Sequence, residues 1–314
     1  MKQRIITGSI LIAILVLGLC SELLTPFIFD GIIACIMVIG SVEFSKLLIL
    51  NKKINFQFIS GLFPSLYYAC FLTCLLLKKS LYFTLIAEAI LVIVCFIILW
   101  LISLMCREKF YNEMKEINFK GSFVKYVTQK CLNTLYTFIY PTFLLGTLTF
   151  VNHFGDFFTK VQIESGFTFS LFLIIVTFCI TISTDTFAYF VGSTFKGPKL
   201  CKKISPNKTI SGAIGGVCGA MVFTTGIYLI GYYFTPLKDI FINLKLNIYY
   251  FLLLGFICSI ISQIGDIFES YIKRKAGVKD SGSIFPGHGG VLDRFDSLIF
   301  ASVIIFVFFL IFII

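Results

Sequence analysis

Residues 270–297 crowd five bases, three aspartates, a histidine and a run of glycines into 28 positions of a chain that is otherwise mostly hydrocarbon. Polar density of that kind between two apolar runs costs too much to keep unless it binds or does something. The residue types have a chemical direction. Carboxylates hold hard cations, Lys and Arg hold phosphates, and glycines let backbone amides approach an anion closely. Such a segment can bring a metal and phosphates together at a membrane surface.

Three further polar stretches point the same way. Ser259, Ser262, Gln263, Asp266, Glu269, Ser270 and Lys273 recur at steps of three and four, which places them on one helical face. A bare carboxylate in a bilayer is costly, so Asp266 wants a cation or a base. An ion pair with a nearby Lys is the competing explanation, but Gln263 and the serines add more oxygen than an ion pair needs. Thr177, Thr181, Thr184, Asp185, Ala188, Tyr189 and Gly192 make a second polar, small-residue face. Helix packing accounts for Thr177 and Ala188, while Asp185 is as well read as structure or as site. Between these faces lies Lys196–Gly212, with five lysines and a Gly-rich approach to a helix. Ser205, Lys208 and Thr209, at a proline-pinned turn and helix start, suit phosphate binding. Lys196, Lys199 and Lys202 read as a solvated charge run.

The elements that must position these residues are membrane helices. Of 314 residues 58% are hydrophobic and 13% charged, against about 25% charged in a soluble domain. Nine stretches are long enough to span: 5–24, 28–48, 58–77, 82–105, 132–152, 168–192, 212–234, 247–269 and 296–314. Lys2 and Arg4 before the first resemble a signal peptide, but the run is long and lacks an Ala-x-Ala site, so it is expected to stay as a span. With the N-terminus in the cytoplasm, the inside segments hold 2, 3, 6, 5 and 5 Lys or Arg, 21 of the 26 in the chain. The fold expected is therefore an all-α polytopic integral membrane protein of about nine helices. Residues 1–131 would carry helices 1–4 and an amphipathic interfacial loop at 106–131, and 132–314 helices 5–9 and the site. The 38 Phe are expected mainly as lipid-facing filler. The eleven cysteines are scattered and only two His occur, which excludes zinc-finger spacing and argues for reduced, space-filling thiols. No basic region stands apart from the membrane, so nucleic acid is not an expected partner.

The pattern Ser270, Lys273, Arg274, Lys279, Asp280, Pro286, His288, Gly289, Gly290, Asp293, Arg294, Asp296 resembles the signature of the phosphatidate cytidylyltransferases, or CDP-diacylglycerol synthases. A second block agrees: Asp185, Ala188, Tyr189, Gly192, Lys199, Leu200, Ser205, Pro206, Lys208, Thr209 and Gly212. Two positions depart from the family pattern, with Ser211 where a Glu is usual and Ser193 where a base is usual. Either a neighbouring carboxylate substitutes or the site is altered. The resemblance runs from about 180 to 297.

It implies an enzyme that condenses CTP with phosphatidic acid to CDP-diacylglycerol and pyrophosphate, facing the cytoplasm from a bacterial inner membrane, with a homodimer expected. Mg²⁺ would lie between Asp266 and Asp293, with scope for a second, monovalent cation such as K⁺. Asp266, Asp293, Lys208, Arg294 and His288 would be catalytic. Ser205, Lys208, Thr209, Lys273, Arg274, Lys279, Gly289 and Gly290 would hold the phosphates. Asp280 and Asp296 would orient Arg274 or Arg294. A CTP-dependent polyprenol kinase or another lipid cytidylyltransferase is the nearest rival; a kinase is told apart by releasing CDP. A membrane transporter is the rival of another class, against which the charges crowd one end of the helices and no two-fold repeat shows.

Overall fold

The computed structural model describes residues 9, 13, 16–21, 25–161, 168–287 and 289–313. Among them, eight helices are long and apolar enough to cross a membrane. The chain is an all-α polytopic membrane protein. The expected first span, 5–24, lies largely outside the described residues. The helices are α1 (Pro26–Leu50), α2 (Gln57–Leu76), α3 (Leu81–Met105), α4 (Arg107–Glu116), α5 (Phe123–Thr137), α6 (Leu144–Asn152), α7 (Phe154–Phe157) and α8 (Phe169–Phe195). A two-stranded antiparallel ribbon follows, β1 (Lys199–Cys201) with β2 (Ser205–Thr209), then α9 (Ile210–Phe234), α10 (Lys238–Asn243), α11 (Ile248–Lys275) and α12 (Leu292–Ile313).

Two compact units result, Ala34–Phe143 on the one hand and Met1–Ile33 with Leu144–Ile314 on the other. In the first, the stretch 106–131 is not a single interfacial loop. It folds as α4 and the start of α5, so the fifth span begins at Phe123 rather than 132. The reason is Lys130, which lowers the local hydropathy yet is 5% exposed. Its ammonium lies 2.5 Å from Glu113 and 4.6 and 4.9 Å from the rings of Phe56 and Phe110. Charge pairing and cation–π contact let a base sit inside. Pro141 then falls in a π-helical turn, Phe138–Phe143, where its missing N–H interrupts the α-helical ladder.

The second unit carries the polar faces. Phe does more here than face lipid: Phe172, Phe241, Phe251 and Phe309 are fully buried, and the Tyr228 and Phe251 rings lie 4.7 Å apart. Where water is absent, such packing is what joins helices. Close helix crossings set the site. A Cβ on Gly212 would lie 2.6 Å from the Ala188 carbonyl oxygen, so α9 meets α8 backbone to backbone. A Cβ on Gly265 would lie 2.8 Å from the Asp296 carbonyl oxygen, which brings α12 against α11 beside Asp266. Thr177 is fully buried, and its hydroxyl donates to the Leu173 carbonyl inside α8.

Two helix limits move residues relative to expectation. Helix α11 continues to Lys275, so Ser270, Lys273 and Arg274 are helical. Helix α12 starts at Leu292, so Asp293 sits in its first turn rather than ahead of it. A carboxylate there faces the helix's free N–H groups and its positive dipole end. The segment expected as a turn around Pro206 is strand β2, paired Lys199 to Thr209 and Cys201 to Ser205.

Candidate active site

A cavity of about 750 Å³ opens between α8, α9 and α11 under the ribbon. Asp185, Tyr189 and Gly192 reach it from α8, Lys208 and Thr209 from β2, and Gln263 and Asp266 from α11. Local bonding explains how each is held. The Thr209 hydroxyl caps α9 by accepting the Gly212 N–H at 3.1 Å. The Thr184 hydroxyl donates to Ser259 at 3.0 Å and ties α8 to α11. The Gln263 amide donates to the Ala213 carbonyl at 3.2 Å and ties α11 to α9. Asp266 forms an ion pair with Lys208 and accepts from the Ser270 hydroxyl at 3.4 Å.

Next to it runs a buried chain of charge. The Lys273 ammonium is 2.6 Å from Glu269 and 2.5 Å from Asp293. The other Asp293 oxygen accepts from the Ser281 N–H and hydroxyl, at 2.8 and 2.9 Å, and from the Gly290 N–H at 2.7 Å. Asp293 thereby ties Ser281 and Gly290 back onto the start of α12. The loop between α11 and α12 shapes a second cavity of about 520 Å³, lined by Lys279, Asp280, Ser283, Pro286, Gly289 and Arg294.

The carboxylates outnumber the ammonium groups beside them. Asp185 lies within electrostatic range of Asp266 and Lys208. Asp296 lies within range of Asp266, Asp185 and Lys273, and Glu269 within range of Asp296 and Asp293. Five acids thus gather around Lys208 and Lys273, a field that attracts cations.

Residues 2–312 match the sequence pattern of the Cytidylyltransferase family. The chain belongs to that family. It is 45% identical over 140 residues to the phosphatidate cytidylyltransferase of Rickettsia conorii, covering 43% of this chain and 56% of that protein. Against the protein of the same name from Rickettsia typhi the identity is 46% over 134 residues, 43% of this chain and 57% of the relative. Against that of Brucella abortus it is 42% over 147 residues, 46% of this chain and 47% of the relative. The chain thus spans about half the length of the curated relatives it matches.

The structure sorts this family member's expected site residues into groups. Asp266, Lys208 and Thr209 line the first cavity, and Lys279, Gly289 and Arg294 the second. Lys273, Asp293 and the Gly290 N–H form the link beside them, with the Gly290 donor already used. Arg274 and Ser205 line neither cavity. Arg274 donates instead to the Ile204 and Val278 carbonyls, both at 3.3 Å, and so braces the ribbon. His288 lies outside the described residues. Asp266 and Asp293 are each held by a different lysine, and the acids within range of Asp266 are Asp185 and Asp296.

Other cavity residues were not singled out as site from the sequence. Lys196 and Lys199, read as solvated charge, line the first cavity with Asn207 and Ser193. Strand alternation was the signal available for Lys199, which sits directly across the ribbon from Thr209. From the sequence alone Asp296 reads as an orienting group for an arginine. Its three-residue spacing from Asp293 on a helix puts both acids on neighbouring faces at the same end of α12.

Proposed function

We propose that this protein is a phosphatidate cytidylyltransferase that works at the cytoplasmic face of a bacterial inner membrane. The observation that carries the reading is the first cavity, where Asp185 and Asp266 share one space with Lys196, Lys199 and Lys208. Acids and ammonium groups in one pocket suit a triphosphate with its counter-cation. The cavity's volume falls in the range of small-ligand sites. In the reaction, an oxygen of the phosphatidic acid phosphate attacks the α-phosphorus of CTP. A new P–O bond forms, the α–β bridging bond breaks, and pyrophosphate leaves.

The chain's own work in that displacement is positioning and charge neutralisation. Lys196, Lys199 and Lys208 neutralise triphosphate oxygens. Tyr189, 79% exposed and on the cavity rim, offers an apolar ring to a lipid substrate. Lys279 and Arg294 in the second cavity suit a further phosphate group. The Lys273 link keeps α11 and α12 in register between the two.

The residues fit Mg²⁺. Among the described residues no group of three or more His, Cys, Asp or Glu forms a metal cage by itself. Asp266 and Gln263 offer hard oxygens in the first cavity, and Mg²⁺ is ordinarily held by one or two carboxylates plus substrate phosphates. Asp266, which lines the cavity, would hold it together with triphosphate oxygens, since Asp293 is already taken up by Lys273, Ser281 and Gly290. When bound, it would neutralise phosphate charge and polarise the reacting phosphorus. Asp185 and Asp296 leave negative charge enough for a second, monovalent cation such as K⁺.

The test incubates purified full-length protein with CTP labelled in the base, phosphatidic acid and MgCl₂. The expected products are a CMP-bearing lipid and pyrophosphate in equal amounts. Release of CDP would point to a lipid kinase, and no consumption of CTP would overturn the reading.

A further inference from the structure

We propose that Ser211 is a positioning residue for the nucleotide phosphates, its hydroxyl pinning the corner of backbone that presents Lys196 and Lys199 to the first cavity. The inference rests on reading that cavity as a nucleotide site. Helix α8 is capped at Lys196 in a left-handed conformation, φ 45° and ψ 41°, which side-chain-bearing residues populate sparsely, so a bond that fixes the chain just after it helps hold the corner. The next residue, Gly197, supplies it: its N–H donates to the Ser211 hydroxyl at 3.2 Å. Ser211 Oγ lies 3.2 Å from Thr209 Oγ1, and Thr209 Oγ1 in turn caps α9 through Gly212. The Ile210 N–H donates to the Pro198 carbonyl at 2.9 Å and completes the anchor.

Lys196, Gly197 and Lys199 all line the cavity, whereas Ser211 stands behind them. The hydroxyl therefore acts through the corner it holds. There is no room for anything else at that contact, because a Cβ on Gly197 would sit 2.9 Å from Ser211 Oγ and 3.2 Å from its Cβ. This is the position where the resemblance leads one to expect a glutamate. In this chain a short neutral acceptor does the holding, and position 211 itself puts no carboxylate beside Lys196 and Lys199.

Ser211→Ala removes the acceptor and frees the corner. We expect Kd and KM for CTP to rise about fivefold, the loss of one net hydrogen bond, with kcat within about twofold of wild type. Gly197→Ala should do the same from the other side of the contact. The double variant should be no worse than either alone, since both break one clamp. Equilibrium binding of labelled CTP is measured apart from turnover, so that the two readings fail separately. CTP binding without lipid product in the wild type would sink the proposed function only. Wild-type affinity in Ser211→Ala, or additive losses in the double variant, would overturn the positioning role. A drop in thermal stability with KM unchanged would make the hydroxyl a structural cap and likewise overturn it.

Discussion

Replacing Lys273 with methionine tests whether the buried charge chain holds α11 and α12 together. The Lys273, Glu269 and Asp293 side chains are 11%, 0% and 6% exposed, so solvent screening does little for them. Methionine keeps most of the volume and removes the charge. Two carboxylates are then left buried without their shared cation, and one Glu269 oxygen already lacks a hydrogen-bond partner. Breaking a buried pair from one side costs about 3–5 kcal/mol. At roughly 2–4 °C per kcal/mol that is an apparent melting shift on the order of 10 °C. Adding Glu269→Gln should recover a good part of the loss. One carboxylate then remains, and Asp293 keeps its three bonds from Ser281 and Gly290. The assay is thermal unfolding of detergent-purified protein, scanned at one fixed rate because unfolding of such a protein is expected to be irreversible. A shift under about 2 °C for Lys273→Met would refute the reasoning, as would a double variant less stable than the single.

Four shorter predictions accompany it. Asp266→Asn should lower CTP turnover by about 100-fold or more, the scale of a lost cation or phosphate-positioning interaction; initial rates against MgCl₂ concentration check it, and a rate within threefold of wild type would contradict it. Arg274→Ala should leave KM for CTP within about twofold while lowering thermal stability, because its hydrogen bonds brace Ile204 and Val278 rather than a cavity. Glu88→Gln should be neutral or stabilising in a melting scan, because Glu88 is 1% exposed on α3 with the Tyr67 hydroxyl as its polar neighbour, and an amide there carries no charge to desolvate. His153 gives a pH dependence. Burial lowers its pKa, but hydrogen bonds and charge from Asp156 and Asp30, at 2.5 and 2.7 Å, outweigh that and raise it to about 9. The raised value means a stabilisation that is complete below the unfolded value of about 6.5 and lost as pH climbs through 9, worth roughly 3 kcal/mol. Melting temperature measured from pH 6 to 10 should fall across that window and flatten in His153→Phe; a flat wild-type curve would disprove it.

How much of this could be read beforehand depends on whether a feature is local. Helices α1, α2 and α3 are legible within two residues because their apolar runs are continuous and length alone decides them. The start of α5 is not, since Lys130 reads as a loop residue until Phe56, Phe110 and Glu113 are known to surround it. The polar stripe of α11 is legible from its spacing, yet its partners are not. Asp266 meets Lys208 from β2 while Lys273 meets Asp293 from α12, and no periodicity within one helix can show that choice. The same limit hides Lys196 and Lys199, whose value lies in a ribbon that folds them over α8 and α9. What does announce these meetings is the small residue at each crossing. Gly212 against Ala188 and Gly265 against Asp296 leave no space for a side chain, so a bulkier residue at either point would drive the acids and lysines apart. The positions that look emptiest in the sequence therefore decide whether its charges ever share a site.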